Sequence, residues 1–216
     1  MGGILELVLL LPVLLVSMMA HEVSHGYVAY RLGDPTAKAH GRLTANPLKH
    51  LDPLGSMMFV ITYMVGGFIF GWAKPVPINP GYFRDHQRGM MVVGIAGPAA
   101  NFFLAVLIAL VLNSLPGAGA TSAQLWDGPL LIRVLFLAYQ VNIVLGIFNL
   151  VPIPPLDGSR IIGGLLSPSA YRWWADLDRY GMLFILFIFI VLQGPFFTLL
   201  RYAFALVSSI LLSAYF

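Results

Sequence analysis

Residues 4–30 are apolar almost without a break, and a run of that length can cross the roughly 30 Å hydrocarbon core of a bilayer as one helix. Set within it is His21-Glu22-Val23-Ser24-His25. On a helix, His21 and His25 lie one turn apart on the same face, so both imidazoles can reach a single tetrahedral zinc while Glu22 sits beside it. Zinc lowers the pKa of a bound water, and a neighbouring carboxylate can take that proton and later hand it to a leaving amine. The competing reading is two helix histidines that are merely hydrogen-bonded or solvated. In a soluble helix the two readings would weigh about equally. Here His25 lies only about 9 Å along the axis from Arg31, at a rise of about 1.5 Å per residue, which puts the motif inside the membrane near one end. Ionisable groups are costly there and are retained for function, so the zinc site is the stronger reading.

Composition agrees with a membrane protein. Of 216 residues, 59% are hydrophobic and only 10% are charged, with a mean hydropathy of +0.85; soluble domains are about one-quarter charged. The net charge of +3 is carried by bases scattered among the loops. They form no stripe, so they read as charges that set membrane orientation, and no nucleic-acid partner is expected. The chain has no cysteine, which leaves His, Asp and Glu to hold a zinc ion. With Glu6 and no Lys or Arg near its start, the first apolar run is not expected to be a cleaved signal peptide.

Residues 31–53 are rich in turn formers, among them Gly33-Asp34-Pro35 and Asn46-Pro47, and short strands and turns are expected there. His40, His50 and Asp52 could be read as a second metal cluster, but no regular spacing unites them, and turn-fixing polar groups are the better reading. The glycine-bearing apolar stretch 54–71 reads as re-entrant, and 72–80, with Pro75, Pro77 and Pro80, as extended. Spanning helices are expected at about 4–30, 90–113, 130–150, 180–192 and 196–215, the last two as a closing hairpin around Gln193-Gly194-Pro195. The fold expected is therefore an all-α polytopic membrane protein, a single domain over 1–216. It has about five transmembrane helices plus a re-entrant or short-strand membrane-associated segment at about 41–88. Small residues Gly94, Gly97, Ala100 and Ala105 permit close helix contact. Asn101 can bond a neighbouring helix or the site, the structural role being favoured.

A second informative stretch runs from Asn149 to Gly158, where Pro152, Pro154 and Pro155 unwind the chain at depth. Irregular backbone survives in a membrane only where protein or a wet cavity satisfies it, which suggests a site, and Asp157 can supply a third zinc ligand. Alternatively, Asp157 caps an ordinary helix.

His21-Glu22-Val23-Ser24-His25, the 149–158 stretch and residues 46–55 together resemble the site-2 protease family of zinc intramembrane metalloproteases, and the Gly97-Pro98-Ala99-Ala100-Asn101 stretch is also similar to the family pattern. The resemblance covers nearly the whole chain and implies one zinc per chain held by His21, His25 and Asp157. It further implies Glu22 as general base and Asn149 near the metal, steadying the tetrahedral intermediate. It looks like the compact form, with no PDZ or CBS domain. The expected activity is hydrolysis of a peptide bond in or near the transmembrane segment of a membrane-spanning substrate, which must first unwind locally. An extended segment within 41–80 could bind the unwound strand by edge pairing. The alternatives are a membrane zinc-binding or transport protein, which would leave Glu22 without a chemical role, and a catalytically silent scaffold, against which the complete set of ligands and base argues. Arg31, Lys38, Arg42 and Lys49 precede the 54–71 segment and Lys74, Arg84 and Arg88 follow it, while 114–128 has no Lys or Arg. By the positive-inside rule the segment enters and leaves on the cytoplasmic side, and the site of this multi-pass protein, expected in a prokaryotic plasma membrane, opens to the cytoplasm.

Overall fold

The computed structural model describes residues 4–66, 71–115 and 128–212. Helix α1 (Ile4–Arg31) is followed by a single turn, α2 (Thr36–Ala39), a 3-10 turn at Pro47–His50, and α3 (Pro53–Gly66). After an extended stretch come α4 (His86–Ser114) and α5 (Leu130–Asn149). The chain then unwinds through the prolines into α6 (Asp157–Leu165), α7 (Pro168–Asp176), α8 (Gly181–Ile190) and α9 (Gln193–Leu211). No strand occurs among the described residues. Short strands expected in 41–88 are replaced by turns, α3 and an extended run, because prolines at 75, 77 and 80 each remove a ladder donor.

Among the described residues, four helices are long and apolar enough to cross a membrane: α1 from Leu7, α4, α5 and α9. Their outward faces are apolar, as at Val8, Val16, Phe103, Leu110 and Leu206, all exposed on the isolated chain. Such faces belong against lipid, so the protein is an integral membrane protein. The fifth span expected at 180–192 is realised as a helix of only 10 residues. At about 15 Å it reaches half the hydrocarbon thickness. The loop expected at 114–128 lies outside the described residues from 116 to 127.

The core lies where α4, α5 and α9 meet: Ala105, Ala109 and Leu112 of α4 pack on Phe136, Tyr139 and Ile143 of α5, with Leu212 closing the end. The Tyr139 hydroxyl donates to Ser208 Oγ at 2.9 Å, so its buried oxygen is satisfied. Helix α1 joins through Leu10 and Leu14 against Val141, with Phe59 of α3 packed beside them. Small residues on one face of α4 let two elements approach closely, α6 at Gly94 and α1 one turn further on at Gly97.

Segment 54–71 has one telling feature. A Cβ placed on Gly71 would meet Gly55 O at 2.5 Å, and one on Gly55 would collide with the Trp72 carbonyl. The two ends of the segment therefore touch. Helix α3 itself has 14 residues, about 21 Å, less than a full span.

Candidate metal centre

Helix α1 delivers His21 and His25 to one face, both buried, and the first turn of α6 delivers Asp157. The position of Asp157 follows from Gly158: any Cβ there would collide with the Leu150 and Val151 carbonyl oxygens, so only glycine lets α6 start hard against the end of α5. Asp157 Oδ2 lies 3.0 Å from His21 Nε2 and 3.1 Å from His25 Nε2. These three donors form the one group of its kind among the described residues. His40, His50 and Asp52 do not assemble into a second cluster, in keeping with their reading as turn-fixing polar groups.

The donor set fits zinc. Ligands at about 2.0–2.1 Å in a tetrahedron sit roughly 3.3 Å apart, close to the separations observed. Both outward-facing ring nitrogens are committed elsewhere: His21 Nδ1–H donates to Asn101 Oδ1 at 2.6 Å, and His25 Nδ1–H donates to the Val93 carbonyl at 2.7 Å. Each Nε2 is thereby turned toward the shared point. Gly97 leaves room at that point, since a Cβ there would lie 2.5 Å from His21 Nε2 and closer still to His25 Nε2.

These residues open on a cavity of about 550 Å³, lined among others by Glu22, Trp72, Pro75, Asn149, Pro155 and Arg160. Glu22 does not point away from the site into packing. Its Oε2 accepts the Val76 backbone N–H at 2.8 Å, from the extended stretch that walls the cavity. That stretch is held further by Lys74 N donating to His50 O at 2.9 Å, Arg42 Nη2 donating to Lys74 O at 2.6 Å, and Asn79 N donating to Asp34 Oδ2 at 2.7 Å. Asn149 lines the same cavity, with its Nδ2 donating back to Leu145 O at 3.0 Å. Arg160 donates from Nη1 to Asp157 Oδ1 at 3.3 Å, which leaves Oδ2 for the metal.

Asn101 fills both roles open to it in the sequence, donating to Asn142 and the Ser17 carbonyl on neighbouring helices and accepting from His21. Asn142, Ser17 and Arg160 stand beside these residues without a motif of their own in the sequence. The available signal was an uncharged polar residue in an otherwise apolar span, and Asn142 is one.

A family model described as Peptidase family M50 matches residues 118–193, which include Asn149 and Asp157. "Putative zinc metalloprotease YwhC" of Bacillus subtilis is 39% identical over 183 residues, covering 85% of this chain and 80% of that protein. "Putative zinc metalloprotease Rip2" of Mycolicibacterium smegmatis is 33% identical over 208 residues, covering 93% of this chain and 75% of that protein. A match of that extent leaves out roughly 15 of the 216 residues, so the His21–His25 motif falls within it wherever its ends lie. No solved structure matches. With the zinc donors converging in space and the similarity running through both stretches that supply them, the chain belongs to peptidase family M50, the site-2 proteases, and is a zinc metalloprotease.

Proposed function

We propose that this protein is an intramembrane endopeptidase, hydrolysing a peptide bond in or near the transmembrane segment of a membrane-spanning protein. The observation that carries this reading is that Glu22 lines the same cavity as the three converging donors, on a helix long enough to cross the bilayer. When bound, zinc acts as a Lewis acid and acidifies a water. His21, His25 and Asp157 hold it. Glu22 takes the proton from the attacking water and passes it to the departing amide nitrogen. Asn149, once its amide leaves Leu145 O, donates to the oxygen that gains negative charge as the carbonyl is attacked. Pure metal transport would leave Glu22 without a chemical role, only its structural bond to Val76.

The substrate enters as an extended strand, because an amide within a helix is shielded by its own hydrogen bonds. The extended wall at 71–79 supports this, as does the cavity's opening between that wall and the unwound stretch before Asp157. The single membrane-embedded domain opens to the cytoplasm of a prokaryotic cell, with 54–71 re-entrant; the charge distribution and the contact between Gly55 and Trp72 support that topology. Co-expression with candidate single-span proteins tests the proposal. Wild type should release a shortened product from at least one of them and the Glu22→Gln variant none, whereas a product of equal yield from both would refute it.

A further inference from the structure

We infer that Asn142, in the middle of α5, is a positioning residue for the metal centre, acting through Asn101 to set which ring nitrogen of His21 faces the zinc. This rests on His21 being a zinc ligand, as proposed above. Ser17, Asn101 and Asn142 come from three different spanning helices, and all three are buried, at 3%, 0% and 2% exposure. Nothing in an apolar bundle requires three polar side chains to meet. Unsatisfied, each would cost heavily there.

The bonds between them have a direction that begins at a backbone carbonyl. Ala138 O can only accept, so Asn142 must turn its Nδ2 toward it, at 2.8 Å; the same nitrogen donates to Ser17 Oγ at 2.9 Å. Asn142 Oδ1 is thereby left facing Asn101. Asn101 must answer with its own Nδ2, which donates to Asn142 Oδ1 at 2.8 Å and to the Ser17 carbonyl at 3.3 Å. That leaves Asn101 Oδ1, an acceptor, against His21 at 2.6 Å. His21 must therefore carry a proton on Nδ1 and keep the Nε2 lone pair for the metal. His25 reaches the same state directly from the Val93 carbonyl. For His21 the polarity is relayed across two amides from a carbonyl on another helix. Were Asn142 apolar, only the long bond to Ser17 O would oppose a flip of the Asn101 amide, and a flipped amide would set an N–H against the His21 Nδ1–H.

The test is zinc affinity of the purified full-length chain in detergent, measured by chelator competition, together with the visible spectrum of the cobalt-substituted protein. Asn142→Leu, close to the native side chain in volume, should weaken zinc about tenfold, the low end of what outer partners of metal ligands contribute, and should perturb the cobalt spectrum. Asn142→Asp still offers Asn101 an acceptor and should bind zinc within about twofold of wild type. In an Asn101→Leu background, Asn142→Leu should cause no further loss, because its effect passes through Asn101. A purely packing role would give the reverse order, with the buried acid worse than Leu and the two losses multiplying. Wild-type affinity in Asn142→Leu, multiplying losses, or an equal loss in Asn142→Asp overturns the inference. If the Leu variants do not fold, a tenfold loss in Asn142→Asp alone overturns it and retention alone supports it. His21→Ala is the control for the underlying site: if zinc affinity survives that change, the reading of His21 as ligand fails, whatever Asn142 does.

Discussion

Val76 N–H donates to Glu22 Oε2 at 2.8 Å, so the carboxylate proposed as general base is also a structural acceptor for the extended wall of its own cavity. The two roles separate by substitution. Glu22→Gln keeps an acceptor oxygen for Val76, so it should lose cleavage by at least about 100-fold while retaining zinc and thermal stability. Glu22→Ala should be equally inactive and also less stable by about 1–3 kcal/mol, the usual cost of orphaning a buried donor. Thermal unfolding of the two variants side by side checks this, and equal stability would mean that the Val76 contact contributes nothing.

Gly97→Ala places a methyl group against His21 Nε2 and His25 Nε2, where the metal should sit. Purified protein is expected to have lost most of its zinc with the helical bundle intact by circular dichroism. A zinc-replete Gly97→Ala protein would show that the metal lies elsewhere.

Asp157→Ala removes the one anionic donor and leaves two imidazoles, a poor zinc site. Elemental analysis of wild type should find about one zinc per chain, and of the variant, markedly less. Full occupancy at unchanged affinity would remove Asp157 from the ligand set.

His50 lies outside the spanning helices and is fully buried, with Nε2–H donating to Thr44 O at 3.2 Å and Nδ1 without a partner. Burial pushes its pKa down; the Thr44 carbonyl opposes this and the Arg42 charge adds to it. A histidine with a lowered folded pKa binds its proton more readily when unfolded, so it costs no stability above its ordinary pKa of about 6.5 and progressively more below it. Stability should therefore fall as pH drops from about 6.5 toward the folded pKa, and His50→Gln should flatten that limb. Parallel melting curves between pH 7 and 5 measure it; an unchanged slope in His50→Gln would assign the acid sensitivity to another group.

The absence of native cysteine makes topology directly testable. With single cysteines at Lys49, Arg84 and Ser122 and an impermeant thiol reagent on intact cells, only Ser122 should label. Labelling at Arg84 but not at Lys49 would mean that 54–71 crosses the membrane, and the contact between Gly55 and Trp72 could not stand.

How much of this was legible in advance depended on whether the signal was local. His21 and His25 are fixed relative to each other by helix geometry alone, and Asp157 was marked by the prolines before it. The spans α1, α4 and α5 follow from unbroken apolar runs. At the end of the chain the break near Gln193-Gly194-Pro195 was legible, since α8 stops at Ile190 and α9 begins at Gln193, but the short apolar run before it gives a helix of only 10 residues. Asn142 was invisible for a different reason. Its partners Ser17 and Asn101 stand 125 and 41 residues away, and no pattern along the chain announces that three helices will bring them together. The Val76 contact spans 54 residues and uses a backbone group, which leaves no trace in residue type.

Between Lys74 and Pro77 the cavity wall has only two backbone N–H groups, because Pro75 and Pro77 have none. One is held by the His50 carbonyl and the other by Glu22. A peptide laid along these four residues would find carbonyls to donate to but no free N–H to accept from. Reciprocal pairing within them would need Val76 to let go of Glu22. On the proposed activity, a strand that paired with Val76 would also free Oε2 of Glu22, so docking at this wall and release of the proton acceptor would be coupled.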